Sequence, residues 1–429
     1  MPEKIHVKHI EIASKIRIAK SDVESENDLL TAYSYHVGDE ILSTMEEDDE
    51  YFYVPSNSYS KLSWDTIEDH RNFEVLPYQL THDAALREEQ QEVIDKFTAR
   101  GRARSGIIKA PCGWGKTFTG CSLIAKNNTK TLILVHTKLL FNQWVDELEQ
   151  QLPDIKIGKI GSGFDDLQDI TVAIYKSAVN RLDKIRNEFS LLIVDECHLC
   201  PANMFSNVVN NINCKIKIGF SATPKRKDGK HVFLSDFFTD FMIVGKEGRI
   251  MATPSVRIVP TDFSFVVHDP KTEWARAVNK LCENTDYIKF IAKLANDEIS
   301  RGRVPLILSD RVQMLRELEK LIDSSICLIG ETEDAEREVI LKEVGTTYKA
   351  ILTTKIFDEG ISCHRLDTLI PTCPHNNPMK LEQRIGRIIR EHPDSKLPLI
   401  IDIQLKGNIV SRQQKSRKLW YARQCYNIL

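Results

Sequence analysis

The sequence predicts an α/β fold, with two parallel-sheet lobes behind a small N-terminal accessory domain rich in strands. Three observations lead to it. Apolar runs of four to six residues recur between residues 106 and 220 with helical stretches between them, a second series of such runs follows Pro254, and the first 80 residues instead alternate in short bursts. A continuous apolar run is what a strand needs when helices cover both faces of its sheet. The expected domains are residues 1–80, 81–250 and 251–429.

In the first segment, Ile5 and Val7, Ile10 and Ile12, and Ile16 and Ile18 keep the period of two that marks half-buried strands. After the acidic run Glu46-Glu47-Asp48-Asp49-Glu50, residues 51–54 are aromatic and β-branched and stop at Pro55, which reads as another short strand. In the first lobe the expected strands are 106–109, 131–135, 170–175, 191–194 and 215–220, with a helix over 119–126. In the second they are 305–309, 325–329, 350–354, 368–371 and 397–403. Gly245, Gly248 and Pro254 interrupt the pattern and mark the join.

With 429 residues and 42% hydrophobic content the chain can bury several cores. No apolar run approaches the ~18 residues of a membrane span, and the charged start Met1-Pro2-Glu3-Lys4 lacks the apolar stretch of a secretory signal, so an intracellular, cytoplasmic monomer is expected. Ten irregularly spaced cysteines make no disulfide framework. Cys197-x-x-Cys200 has no second pair at finger spacing, and neither has Cys363-His364 with Cys373 and His375, which argues against zinc. The net charge of -3 hides an asymmetry: residues 1–80 hold 7 Lys and Arg against 17 Asp and Glu, and the remainder holds 51 against 44. An acidic front repels phosphate and a basic body attracts it.

The chemistry is densest at Ala110-Pro111-Cys112-Gly113-Trp114-Gly115-Lys116-Thr117, between an expected strand and an expected helix. Gly113 and Gly115 give backbone amides close approach to phosphates, Lys116 meets their charge, and the Thr117 hydroxyl suits Mg2+. Asp195-Glu196-Cys197-His198 closes the apolar run 191–194, 78 residues after Thr117. A carboxylate pair at a strand's carboxyl end sits where open α/β sheets bind ligands. Asp195 would hold Mg2+, largely through water, and Glu196 would orient and deprotonate the attacking water. Ser221-Ala222-Thr223-Pro224 ends the next strand.

Together these segments resemble the superfamily 2 helicases and translocases of the Asp-Glu-x-His type. Residues 353–361, Thr-Thr-Lys-Ile-Phe-Asp-Glu-Gly-Ile, look like that family's fifth motif, and Gln383-Arg384-Ile385-Gly386-Arg387-Ile388-Ile389-Arg390 looks like its sixth. The resemblance runs in the family's order from about Leu86 to Arg390. It implies two RecA-like lobes, ATP and Mg2+ as cofactors, and hydrolysis coupled to movement on nucleic acid. By resemblance Arg387 and Arg390 are arginine fingers, suited by a planar, permanently charged fork. The same resemblance implies that Gln383 and Gly360 line the nucleotide cleft. Arg87 and Gln90, in Leu86-Arg87-Glu88-Glu89-Gln90, belong to the adenine-reading segment, with Glu89 where relatives often carry an aromatic residue. Thr137, Gly161, Ser177 and Thr354 would touch nucleic-acid phosphates, and Lys225 and Arg226 form a basic turn that suits a duplex or fork.

The order of motifs is similar to that of XPB-type DNA-repair helicases and of phage and viral branch-migration enzymes. That resemblance implies an ATP-dependent DNA helicase or translocase acting on branched or forked DNA, moving 3′ to 5′, with residues 1–80 selecting the substrate. An RNA helicase or viral transcript-release factor uses the same engine, and an ATP-gated clamp that binds without unwinding is the reading from another class.

Overall fold

The computed structural model describes residues 4–99, 104–111, 113–201, 203–224, 228–245, 253–354, 363, 365–375, 378–386, 388–389 and 396–429. The chain forms two compact units, Met1–Gly248 and Arg249–Leu429. Each is built on mixed α/β architecture, and among the described residues no helix is long and apolar enough to cross a membrane.

The first unit starts with a five-stranded sheet in the order Glu46–Glu47, Tyr51–Pro55, Lys15–Ala19, Ile5–Ile12, Leu62–Asp69. Val7, Ile10, Ile12, Ile16, Ile18, Phe52 and Val54 share one buried cluster with Leu29 and Tyr33. A separate hairpin, Ser34–Val37 with Glu40–Ser43, lends Val37 to a core that contains Phe233, Leu234 and Phe237. The same border holds a buried polar cluster. Asp236, fully buried, accepts from Tyr35 Oη at 2.7 Å and Thr44 Oγ1 at 2.6 Å, and pairs with Lys61 Nζ at 2.6 Å. Lys217, also buried, donates to Ser56 Oγ at 3.0 Å and to the Val209 carbonyl at 2.8 Å.

The larger sheet of this unit has eight strands in the order Phe164–Asp166, Ile157–Gly161, Ile170–Ile174, Thr131–Val135, Leu191–Asp195, Ile216–Ser221, Gly106–Lys109, Met242–Val244. Phe164–Asp166 returns antiparallel through a two-residue turn, and the other pairs are parallel. Ser162 at φ 51° and Gly163 at φ 90° give that turn the two left-handed residues a tight hairpin requires. Helices on both faces leave the central strands almost dry: Leu132, Ile133, Leu134, Leu192, Ile193 and Val194 are all 0% exposed.

The second unit repeats the plan with seven strands in the order Ser325–Leu328, Ala350–Thr353, Pro305–Leu308, Thr368–Pro371, Leu399–Lys406, Ser255–Ser264, Asn427–Ile428, all paired in parallel. Helix Thr285–Ser300 covers one face with Ile288, Ile291 and Ala295. Helix Asn408–Arg423 is tied back by Arg417, whose fork donates to both Asp402 oxygens at 2.7 and 3.0 Å.

Candidate ATP and nucleic-acid site

Parallel register brings the carboxyl ends of the first unit's strands to one rim. Asp195 pairs with Phe220, Ser221 with Lys109, Ile174 with Val135 and Ile160 with Ala173. Segments far apart in sequence therefore leave the sheet together, which is where a doubly covered sheet binds ligands.

The expected phosphate loop leaves the strand Gly106–Lys109 and enters helix Lys116–Asn127. Gly113 at φ 78° and Gly115 at φ 87° occupy the left-handed region, which a side chain would strain. The helix begins directly after Gly115, and the amides at a helix N-terminus are the groups that attract phosphate. Trp114, between the glycines, is 1% exposed. Its carbonyl accepts from Gln90 Nε2 at 2.9 Å and from the Arg87 guanidinium, while Gln90 Oε1 accepts from the Arg87 amide at 3.0 Å. The two residues expected to read adenine thus grip the phosphate loop.

Lys116 Nζ lies 3.1 Å from Glu196 Oε1. Glu196 has a left-handed backbone, φ 51°, which costs a non-glycine residue about 1–3 kcal/mol and turns the carboxylate out of the line of the strand. The other carboxylate oxygen is 3.2 Å from His198 Nδ1, and that nitrogen is 3.0 Å from Ser221 Oγ. A polar line thus runs from the phosphate loop through the acidic strand end to Ser221. Gly219 permits it, since a Cβ there would stand 2.8 Å from Cys197 Sγ. Asp195 is held from two sides, by Trp144 Nε1 at 2.9 Å and by the Glu196 amide at 2.9 Å. Burial pushes the Asp195 carboxyl above its ordinary value. Burial works the same way on Glu196, but the Lys116 charge and the neighbouring His198 ring outweigh it and hold that carboxyl low.

Three of the expected nucleic-acid residues, Thr137, Gly161 and Ser177, fall on the other half of the rim. Thr137 follows the strand Thr131–Val135 and caps helix Lys138–Gln151, accepting from the Leu140 amide at 3.2 Å. Ser177 lies on the short helix after Ile170–Ile174, beside Gly161, where a Cβ would come within 3.0 Å of Ser177 Oγ. In the second unit, Thr354 follows the strand Ala350–Thr353 and Gln383 lies on helix Pro378–Ile385. Lys225, Arg226, Gly360, Arg387 and Arg390 lie outside the described residues.

Sequence reasoning missed Trp144, His198 as a partner of Glu196 and Ser221, and the structural part of Trp114. His198 carried a signal, as the last residue of Asp-Glu-Cys-His. Trp144 carried none, because it meets Asp195 from a helix 51 residues earlier. Cys197 and Cys200 are buried in the core, Cys200 beside the Tyr175 hydroxyl at 3.5 Å.

Residues 83–226 match the family described as type III restriction enzyme, res subunit, and residues 286–392 match the helicase conserved C-terminal domain. The chain is 30% identical over 324 residues to "Probable helicase D10" of Escherichia phage T5, a match spanning 73% of this chain and 71% of that protein. It is 27% identical over 390 residues to "DNA 3'-5' translocase XPB2" of Sulfurisphaera tokodaii, spanning 80% and 87%. It is 24% identical over 404 residues to "Putative ATP-dependent RNA helicase L396" of Acanthamoeba polyphaga mimivirus, spanning 89% and 76%.

Proposed function

The chain belongs to the superfamily 2 helicases, ATP-driven helicases and translocases, and from that premise we propose that it is a DNA translocase working on branched or forked DNA, moving 3′ to 5′. One observation supports the reading most. The sheet order divides one rim in two: the strands ending at Lys109, Asp195 and Ser221 adjoin one another, and those ending at Gly161, Ile174 and Val135 adjoin one another. Gly113, Gly115, Lys116, Thr117, Asp195 and Glu196 end or follow strands of the first three, and Thr137, Gly161 and Ser177 end or follow the second three. At about 4.8 Å between strands, chemistry at Glu196 lies only one to three strands from the nucleic-acid half.

Each side chain then has a task. The Gly113 to Lys116 amides and the Lys116 ammonium bind phosphates, and Glu196, fixed by Lys116 and His198, orients a water and takes its proton. Thr117 and Asp195 would hold Mg2+. The set fits, because magnesium on a nucleotide needs only one or two protein oxygens and Asp195 is already oriented by Trp144. When bound, the ion neutralises charge on the phosphates. Arg387 and Arg390 are proposed as arginine fingers on the family pattern. Hydroxyl and amide contacts go to phosphate and leave the sequence unread.

The test is ATPase stimulation by single strands, forks, four-way junctions and RNA of equal length. Forks or junctions should stimulate most. Equal or greater stimulation by RNA would make the chain an RNA helicase, and nucleotide-dependent binding with no displacement of streptavidin from a DNA end would make it a clamp.

A further inference from the structure

The residue between the two glycines of the phosphate loop is a tryptophan, and its surroundings suit a fixed part of the catalytic machinery. Its indole packs against Gly245. A Cβ built on Gly245 would stand 2.8 Å from Trp114 Cε2, 2.9 Å from Cζ2 and 3.1 Å from Nε1. Gly245 follows the strand Met242–Val244 and its amide donates to the Lys109 carbonyl at 2.8 Å, at the residue where the chain turns toward the loop. The backbone at Gly245 is not left-handed, so the absence of a side chain there serves the tryptophan ring and not the turn. On its other side the Trp114 carbonyl takes the Arg87 guanidinium and the Gln90 amide, and Gln90 Nε2 stands where a Gly115 Cβ would come within 2.5 Å. Gln90 itself is 3% exposed.

We propose that Trp114 is a positioning residue: wedged between Gly245 and the Arg87–Gln90 pair, it sets the shape of the phosphate loop and makes that shape depend on the end of the strand Met242–Val244. The end of that strand and the phosphate loop thus share one buried ring. Arg87 and Gln90 act here on the loop, so their influence is the same for any purine nucleoside triphosphate. The inference rests on residues 110–117 being the phosphate loop.

The experiment is a double-mutant cycle between Gly245→Ala and Trp114→Leu, leucine lacking the three ring atoms that a Cβ at position 245 would strike. Steady-state hydrolysis of ATP and of GTP is measured in the full chain with saturating single-stranded DNA. Gly245→Ala should lower kcat/KM by roughly ten- to a hundred-fold, the range for a misplaced reacting group, equally for ATP and GTP. In the Trp114→Leu background the same substitution should cost less than about two-fold, since coupled neighbours are not additive. Full activity in Gly245→Ala, an equal loss in both backgrounds, or a loss confined to ATP would overturn the proposal. If Gly245→Ala does not fold, Arg87→Ala decides: it removes one of the two donors to the Trp114 carbonyl and should raise KM for both nucleotides by one factor, and a rise for ATP alone would return Arg87 to reading the base. A wild-type chain without DNA-stimulated hydrolysis would instead defeat the proposed function, which no arm of the cycle can mimic.

Discussion

Substituting Asp236 by Asn tests whether residues 1–80 are a body of their own or part of the first lobe's fabric. Asp236 takes two hydrogen bonds from the front segment, from Tyr35 and Thr44 on Oδ2, and an ion pair with Lys61 on Oδ1. An asparagine can keep its oxygen toward Tyr35 and Thr44, but its NH2 then faces the Lys61 ammonium at a separation of 2.6 Å, donor against donor. Breaking one partner of a buried ion pair costs about 3–5 kcal/mol. The Lys61 side chain is 23% exposed and also donates to the Ala32 carbonyl, so the lower end applies, about 3 kcal/mol. For a unit of this size each kcal/mol moves Tm by about 2–4 °C, giving a fall of roughly 6–12 °C. Calorimetry should place the loss in the transition of the first unit, and limited proteolysis should open residues 1–80 first. A shift under about 2 °C, or residues 1–80 released while the first lobe melts unchanged, would refute the reasoning.

Three further outcomes are expected. Glu196→Gln should retain ATP binding while hydrolysis falls by about 10²–10⁴-fold, because an amide cannot take a proton from water; ATP binding lost together with hydrolysis would give Glu196 another role. Gly120→Ala should cost about 1–3 kcal/mol by overpacking, since its Cβ would lie 2.5 Å from Trp144 Cη2, and should raise the Mg2+ concentration for half-maximal ATPase, because Trp144 holds Asp195; an unchanged Mg2+ requirement would separate Trp144 from the site. Burial lowers the Lys217 ammonium from 10.5 to about 8, so below that pH the charge is buried at full penalty, and between 8 and 10.5 the unfolded chain binds the extra proton and stability rises with pH. Relative to Lys217→Met, wild-type stability from urea unfolding should therefore climb by about 3 kcal/mol across that window, and a flat difference would show Lys217 ionising normally.

How much of this was legible in the sequence follows from the range of each interaction. The central strands were readable because a strand covered on both faces is apolar throughout: 131–135 and 368–371 coincide with observed strands, and 191–194 differs by one residue, Asp195, whose buried carboxylate no apolar pattern includes. Strand Ser255–Ser264 escaped notice because only Val256 is fully buried and the rest is half-covered or exposed. The polar cluster was invisible for another reason. Asp236 and Lys217 look like surface charges by type, and their partners Tyr35, Thr44 and Ser56 stand 161 to 201 residues away. At the site, the phosphate loop and the carboxylate pair announced themselves by residue type, while their supports did not: nothing in the sequence marks Trp114 or Trp144 as a support of the site until their neighbours, Gly245 and Gly120, are seen to have no room for a Cβ.

In the proposed mechanism those two tryptophans explain how a rim made of loops can be exact enough for phosphoryl transfer. Loops tolerate displacement, whereas a reacting group misplaced by 1 Å can cost about 10²-fold in rate. Here each proposed catalytic loop is tied to buried aromatic volume: the phosphate loop through Trp114 into the core that holds Ile108 and Ile243, and the acidic strand end through the indole N-H of Trp144, itself packed on Phe220. A close-packed interior yields little to a single side chain, so the loops take on the stiffness of the sheet they leave. The same logic makes the glycines opposite the rings as critical as the rings, although Gly120 and Gly245 touch neither nucleotide nor nucleic acid in the proposed mechanism. Substitution at either should therefore act on catalysis before it unfolds the unit, with activity falling at temperatures well below Tm; loss of activity only in step with unfolding would reduce both glycines to packing sites.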